Sequence, residues 1–421
     1  MRLVTIRVFV LPCLILFALA GYAQRSAPKD PTKPKVRAIT AFINLDRAEY
    51  QQQIAETVKM LKYARTVFES RGYEVETIRI STQPFPEYIK GLTEQQALAF
   101  FEDYDALAQK EKFAASIGPA MLNAGDPESQ ADLLTDVLKG SKSINGSLVV
   151  AGDDGVRWGA VGAAARTMKK LEDTEHSQGN FKFAAIALVP PLTPFFPGSY
   201  HTGFGHQFAI ALESANTVAA AFQGAPDLAT ARQRLMDRLG NEAFAIQDLA
   251  LRVDRELGWT YMGIDLSPAP LKDVSIGAAI ENLTSEPVGS SGTLTAAATI
   301  TSAIKDIQVK QTGYSGLMLP ILEDARLAQR WGEGRISVDA LLSYSAVCGT
   351  GLDTVPLPGN VTEKELELMI GDMASLAVKW HKPLSARILP VSGKNAGDMT
   401  EFDDPYMVNT TLHHLGETGA K

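Results

Sequence analysis

Cys348 is the residue whose type and surroundings best suit covalent chemistry. It lies in YSAVCGTGLDTVPLPG, residues 344–359, where two glycines and an acid follow the thiol within five positions. A thiolate is a strong nucleophile, and the amide groups of a glycine-rich loop can stabilise an oxyanion. We therefore predict Cys348 as a nucleophile, Asp353 as a catalytic group that orients substrate or moves protons, and Gly349 and Gly351 as substrate-binding positions.

A packing role for the same thiol is the open alternative. Unpaired cysteine is among the most buried residue types, and the nearby sequence offers Cys348 no basic partner. In that case the protein is a non-catalytic protein that binds a small ligand. Fast, ligand-protected labelling of the native thiol would indicate catalysis, and labelling only after unfolding would indicate packing.

Further candidate residues follow two predicted strands. Tyr200 and His201 come after a strand at 183–189, and Asp265 ends a strand at 259–266. Ligands of α/β proteins gather at the carboxyl ends of strands. We predict Asp265 as catalytic and Tyr200 and His201 as substrate-binding residues. A turn or helix cap for Asp265 and a structural hydrogen bond for His201 stay open.

The carboxyl-terminal region concentrates acidic side chains. Asp398, Glu401 and Asp403 supply hard oxygen ligands, which predict a divalent cation such as Ca²⁺ or Mg²⁺ and a metal-dependent hydrolase as an alternative function. The spacing matches no EF-hand loop, so a solvated acidic loop is the other interpretation. Lys394, between glycine and asparagine, is a candidate for binding an anionic substrate group.

Composition and missing motifs narrow the function classes. The chain has 40 Lys and Arg against 48 Asp and Glu, a net charge of −8 without basic runs, which argues against nucleic acid and anionic membranes as partners. It contains no phosphate-binding loop, dinucleotide fingerprint, zinc motif or nucleophile elbow, so no nucleotide is predicted. A small-molecule ligand is the expected partner, and a homo-oligomer stays open.

The amino terminus has the features of a secretory signal. Residues 1–23 combine arginines, an apolar run and small residues, and residues 24–35 form a polar, proline-rich tether that we predict to be disordered. The remaining chain, 36–415, is predicted to be one domain. The expected location is periplasmic or secreted, with no membrane attachment after signal cleavage.

The elements that must position these residues alternate between strands and helices. Hydrophobic patterns predict strands at 36–43, 74–80, 147–151, 183–189, 259–266 and 384–389. Long helices are predicted near 206–222, 227–257, 294–310 and 362–380. This alternation predicts an α/β fold with a largely parallel sheet or barrel.

Three motifs resemble an uncharacterised prokaryotic family, domain of unknown function 711, also called the PFL family. They are GYSGLMLPILED at 313–324, the stretch at 344–359 and GKNAGDMTEF at 393–402. The resemblance implies a fold similar to pyruvate formate-lyase, a ten-stranded α/β barrel surrounded by helices, with Cys348 on an inner hairpin loop. The glycyl radical motif of those enzymes is missing, so we expect no glycyl radical. The expectation is a non-radical enzyme acting on a small carbonyl or acyl compound.

Overall fold

The computed structural model describes residues 30–413 and contains ten strands in one sheet. The strands are β1 (Lys35–Ile43), β2 (Val75–Thr82), β3 (Ala114–Pro119), β4 (Ile144–Gly152), β5 (Gly155–Val156), β6 (Phe183–Ala187), β7 (Gln207–Glu213), β8 (Thr260–Ala269), β9 (Gly351–Pro358) and β10 (Leu384–Val391). The helices are α1 (Tyr50–Glu69), α2 (Phe85–Tyr88), α3 (Glu94–Glu111), α4 (Ser129–Gly140), α5 (Trp158–Leu171), α6 (Ala215–Phe222), α7 (Leu228–Leu257), α8 (Ile276–Thr284), α9 (Thr293–Lys305), α10 (Ala325–Gly332), α11 (Val338–Ser345) and α12 (Glu363–Trp380).

The sheet is mostly parallel. Its order is β8-β7-β1-β2-β3-β4-β6-β10-β9, and the short β5 pairs with β4. Neighbours run parallel except at β1–β7, β6–β10 and β4–β5. Most strands are nearly continuous runs of buried residues, as expected for a parallel sheet covered on both faces. The predicted α/β fold, its ten strands and its surrounding helices are confirmed.

The sheet curves strongly. Glu323 forms ion pairs with both Arg37 on β1 and Arg387 on β10, and four other strands separate these two in the sheet order. In a flat sheet the two strands would lie about 24 Å apart, too far for two arginine side chains to meet at one carboxylate. Closure into a barrel stays a prediction, because no ladder joins β8 to β9 in the described chain.

Two of the three hydrophobic core clusters in the described chain lie on the two faces of the sheet. The larger core packs the helices against one face. On the concave face, small strand residues meet two loop segments, at 195–200 and 314–318, in a cluster of Ala38, Val149, Ala184, Ile186, Val189, Phe195, Tyr200, Ala211, Ala269, Tyr314 and Met318. Four of these residues are alanines, and the space they leave opens into a cavity.

Two sequence-based assignments are corrected. The predicted helix near 206–222 is wrong in its first half, because Gln207–Glu213 is β7 and α6 begins only at Ala215. Both faces of β7 are buried, so its alternating pattern is hidden. The predicted loop after Cys348 is largely β9, an edge strand whose position tolerates Pro356 and Pro358.

The predicted signal sequence at 1–23 and the tether up to residue 29 lie outside the described residues. Lys35, the last residue assigned to the tether, begins β1. Between residues 30 and 413, no helix combines the length and the apolar character needed to span a bilayer.

Candidate functional site

A cavity of about 870 Å³ opens on the concave face of the sheet. This size lies within the range of small-molecule binding sites. Its walls carry side chains from the strands, the segment 313–324, which we call the inner segment, and the carboxyl-terminal loop. Charged and aromatic residues that line it include Arg37, Arg79, Lys142, Lys182, Tyr314, Glu323, Asp353, Arg387, Asp403, Asp404 and Tyr406.

Irregularities in the sheet place charged residues at this cavity. The pairing of β1 with β7 shifts register across Arg37, and the pairing of β10 with β9 shifts across Arg387. At the second shift, Asp353 and Thr354 of β9 stand opposite Arg387 alone. Thr354 has a φ of 45°, which is uncommon for a β-branched residue. Bulges of this kind change the direction of side chains beside functional sites.

The side chains at these bulges form a buried ionic network. Glu323 accepts a 2.9 Å hydrogen bond from Nη2 of Arg37 and another from Nη2 of Arg387. Nε of Arg387 donates to Oδ1 of Asp353 at 2.8 Å. All four side chains belong to residues that are at least nine-tenths buried. Glu323 of the inner segment therefore joins β1 to β9 and β10 across the cavity.

Only one of the two carboxylate oxygens of Asp353 accepts hydrogen bonds from the described residues. Both of its contacts with Arg387 use Oδ1, and Oδ2 has no hydrogen-bond donor among residues 30–413. Burial raises the pKa of Asp353, and the charge of Arg387 opposes that rise. A carboxyl group with a raised pKa and an oxygen available at a cavity is a candidate for proton transfer.

The network continues away from the cavity through a pair of carboxyl groups. Arg37 Nη1 lies 3.2 Å from Glu76 and 3.3 Å from Glu213, and Lys35 Nζ lies 3.3 Å from both. Burial, together with a hydrogen bond to Glu76 and its repulsion, raises the pKa of Glu213 to about 7. The pair can therefore hold a proton close to neutral pH.

Buried carboxylates hold the inner segment at both ends. Asp265 of β8 accepts hydrogen bonds from the amides of Tyr314 at 2.7 Å and Ser315 at 2.9 Å. Asp324, at the other end, accepts from amides in the first turns of α8 and α10. Asp265 is fully buried and does not line the cavity. In this structure it positions the segment that carries Tyr314 and Glu323.

Cys348 lies in the turn between α11 and β9, outside the cavity lining. It is 2% exposed and packs in the larger core. Its carbonyl oxygen accepts a hydrogen bond from Nζ of Lys382. Burial raises the pKa of the thiol, and the charge of Lys382 partly offsets this. A buried thiol with a raised pKa is a poor nucleophile.

The two glycines beside Cys348 serve close packing in this structure. A Cβ atom on Gly349 would lie 2.7 Å from the carbonyl carbon of Gly316 in the inner segment. Gly351 has a φ of 91°, and a Cβ there would lie 2.3 Å from the carbonyl oxygen of Ser385. Gly349 also donates its amide hydrogen to the carbonyl of Leu317 at 2.7 Å. The turn thus braces the inner segment from behind.

The other predicted substrate-binding residues lie away from the cavity lining. The hydroxyl of Tyr200 donates to the Val189 carbonyl at 3.0 Å. His201 is fully buried between the amide side chains of Asn44 and Gln207, and burial lowers its pKa. Lys394 forms an ion pair of 3.0 Å with Glu401.

The three predicted metal ligands do not form a cluster. Asp398 accepts the amide hydrogen of Asn395 at 2.7 Å, and Glu401 pairs with Lys394. Asp403 accepts from Nε2 of Gln178 at 2.6 Å and lines the cavity. Within the described residues, no three His, Cys, Asp or Glu side chains are arranged to hold a metal ion. The divalent cation stays a prediction.

The structure thus brings Asp353 and Asp403 to one cavity and places the other predicted site residues elsewhere. Sequence reasoning missed Arg387, which contacts Asp353, and Glu323 and Arg37, which extend the network. A signal was present, because each arginine lies inside a strand whose other residues are mostly apolar. A charge inside a strand that is buried on both faces requires a partner and marks a candidate site.

Comparison with known proteins gives the family. Residues 30–405 match the family model described as "Uncharacterised ACR (DUF711)". The chain belongs to this family, which confirms the resemblance drawn from its motifs. The match covers all of the residues that form the ionic network and every residue that lines the cavity except Tyr406.

The relatives come from distant organisms and carry the name "UPF0210 protein". One from Pyrobaculum arsenaticum is 32% identical over 402 residues, and the alignment covers 88% of each chain. One from Oenococcus oeni is 27% identical and covers 81% of this chain and 83% of its own. One from Listeria monocytogenes is 25% identical and covers 84% and 82%.

These relatives correct the predicted location. The relatives include proteins of archaea and of Gram-positive bacteria, mostly without known signal peptides. The prediction of a periplasmic or secreted protein is therefore wrong. It depended on residues 1–23, which precede the part that matches the family model.

Proposed function

We propose that the protein is an enzyme that acts on a small carbonyl or acyl compound by a polar, non-radical mechanism in the concave cavity. The observation that carries this proposal is the free Oδ2 of Asp353 at the cavity, beside the Arg387–Glu323–Arg37 network. The proposal moves the chemistry from Cys348 to Asp353, because the thiol is buried outside the cavity.

In this mechanism Asp353 takes a proton from the carbon next to the carbonyl group, and the same carboxyl group returns a proton to that carbon of the enolate that forms. The negative charge that develops on the substrate oxygen lies close to Arg387 and Arg37, which stabilise it. Glu323 keeps both guanidinium groups in place by accepting from each. A positioned general base of this kind contributes about 10²- to 10⁴-fold to the rate.

The closed barrel and the likeness to pyruvate formate-lyase are part of the same proposal. Their support is the curvature that brings β1 and β10 to Glu323, and the inner segment on the concave face. In the proposed barrel the segment 313–324 takes the inner position, and the turn at Cys348 lies behind it.

Solvent deuterium exchange tests the proposal. The probes are pyruvate, 2-oxobutyrate, acetone and hydroxyacetone in D₂O, with loss of the C–H signal next to the carbonyl followed by NMR. We expect the wild type to accelerate exchange of at least one probe, and Asp353→Asn to lower that rate about 100-fold or more. Cys348→Ala and the surface control Asp339→Asn should keep the wild-type rate.

Two results would contradict the proposal. Exchange that survives in Asp353→Asn but is lost in Cys348→Ala would return the chemistry to the thiol. Absence of exchange with every probe, together with binding of one of them, would indicate a non-catalytic binding protein.

A further inference from the structure

We infer that Arg79 is the anchor for a carboxylate group of the ligand, so that the ligand is a small organic acid with a second polar group. This inference rests on the proposed function only in taking the cavity as the ligand site. It concerns binding, so it can fail or succeed independently of turnover.

Arg79 differs from the other two arginines of the cavity. Arg37 contacts three carboxylates and Arg387 contacts two. Arg79, on β2, forms no ion pair with any described residue, and its one hydrogen bond runs from Nε to Oγ1 of Thr77 at 3.0 Å. Its guanidinium stacks over the ring of Phe196 at 4.9 Å. Nη1 and Nη2 are therefore left for a ligand at the cavity wall.

The environment of Arg79 favours an anion. Removal from bulk water lowers the pKa of its guanidinium, and repulsion from Arg37 adds to that effect. A bound anion would offset both costs. Nε is hydrogen-bonded to Thr77, and the ring of Phe196 covers one face of the guanidinium. The end of the guanidinium therefore presents two parallel N–H donors. That fork matches the two oxygens of a carboxylate.

The surrounding acids favour a single negative charge. Glu323, Asp353 and Asp404 line the same cavity, so a phosphate dianion would meet repulsion that a monocarboxylate largely avoids. Among the arginines that line the cavity, only Arg79 has no ion pair with a described residue, and its charge balances one negative charge. We therefore commit to a carboxylate and not to a phosphate ester.

Thr350 supplies the second, independent observation. It lines the same cavity and is 3% exposed, yet its Oγ1 has no hydrogen-bond partner within residues 30–413. Buried hydroxyl groups are rarely left unpaired, because the lost hydration is then uncompensated. Rotation of the Thr350 side chain towards the cavity would let a hydroxyl or carbonyl oxygen on the ligand satisfy it. The cavity thus offers a carboxylate anchor and a separate hydrogen-bonding position.

A titration with defined probes tests this inference. Acetate, lactate and pyruvate are compared with acetamide, lactamide and inorganic phosphate at up to about 10 mM, a concentration that nearly saturates even a millimolar site. Binding is measured by ligand-observed NMR on the full chain. We expect the carboxylates to bind and the matching amides to bind at least tenfold more weakly.

Variants then locate the anchor. Arg79→Gln should weaken carboxylate binding roughly ten- to hundredfold, as expected for loss of a charged bidentate contact. Arg79→Lys keeps the charge but not the two parallel donors, so its carboxylate affinity should lie between those of the wild type and Arg79→Gln. Thr350→Val should weaken lactate more than acetate. The control Arg238→Gln, on the exposed face of α7, should leave every affinity unchanged.

Several outcomes would overturn the inference. Amides that bind as well as acids, phosphate that binds more tightly than every carboxylate, or no carboxylate binding would each refute it. Unchanged affinity in Arg79→Gln would do the same. If Arg79→Gln failed to fold, the acid–amide comparison on the wild type and the Arg79→Lys result would still decide. Carboxylate binding without deuterium exchange would sustain this inference while refuting the proposed enzymatic function.

Discussion

Replacing Asp324 with alanine should destabilise the protein more than replacing an exposed helix cap. Its carboxylate is fully buried and begins two helices at once. Oδ1 accepts from the hydroxyl of Ser275 at 2.6 Å and from the amides of Arg326 at 2.9 Å and Leu327 at 3.0 Å. Oδ2 accepts from the first two amides of α8 at 2.7 and 3.2 Å. One side chain therefore satisfies five donors.

The magnitude follows from that count. A buried donor that loses its acceptor costs about 1 kcal/mol or more, so Asp324→Ala should lower the free energy of unfolding by about 5 kcal/mol. Losses of this size are exceptional and approach the whole stability of a typical domain. Asp324→Asn keeps one oxygen and should lose about 2–3 kcal/mol, because its amide group faces donors on one side.

Urea unfolding followed by circular dichroism measures these losses. The matched control is Asp227→Ala, because Asp227 is exposed and caps α7 through the Thr230 amide at 2.7 Å. Loss of such a cap costs about 1 kcal/mol. If Asp324→Ala proved no more destabilising than Asp227→Ala, Asp324 would not hold the inner segment and its two helices as described.

Three further predictions concern the surroundings of the site. Gly349→Ala should lower the free energy of unfolding by about 1–3 kcal/mol, because the added Cβ overpacks against Gly316. The control Gly125→Ala should be nearly neutral, because no atom lies within 4 Å of its added Cβ. Equal effects of the two substitutions in urea unfolding would refute the close approach of Gly349 to Gly316. The buried Cys348 thiol should react with a maleimide about 100-fold more slowly in the native than in the unfolded protein, and equal rates would show that it is accessible. The folded state raises the pKa of Glu213 from 4.5 to about 7, so the stabilising contribution of its protonated form is complete below pH 4.5 and is lost as the pH rises through about 7. Glu213→Gln should therefore flatten the fall in the free energy of unfolding across this window. Parallel pH profiles of the variant and the wild type would contradict the assignment.

The fold class was predictable because the sequence alternates clearly between strands and helices. Strong apolar runs such as 36–43 and 384–389 and the helices at 227–257 and 362–380 correspond to elements of the structure. The strand at Gln207–Glu213 was not predictable from periodicity, since alanines fill one face and both faces are buried. Such a run fits a helix as well as a strand.

The candidate site was less accessible to sequence reasoning. Asp353 was identified from its glycine-rich context, but its partner Arg387 is 34 positions away and meets it only through a register shift between β9 and β10. Bulges arise from tertiary pairing, so no local pattern announces them. The same holds for Glu323 and Arg37, which are 286 positions apart.

Cys348 shows the limit of reading reactivity from composition. Glycines beside a thiol suggested a loop that exposes it, whereas Gly349 is required by contact with the backbone of Gly316. A glycine that permits close packing and one that frees a loop are identical in sequence. Burial alone separates the two, and burial is a property of the folded chain.

A crystal structure of the protein with the carboxylate that binds most tightly among acetate, lactate and pyruvate tests the central claim most directly. The account predicts the ligand in the concave cavity, with its two carboxylate oxygens about 2.7–2.9 Å from Nη1 and Nη2 of Arg79. The rest of the ligand should face the free Oδ2 of Asp353. A carboxylate bound anywhere else in the protein, or bound in the cavity without contact to Arg79, would contradict it.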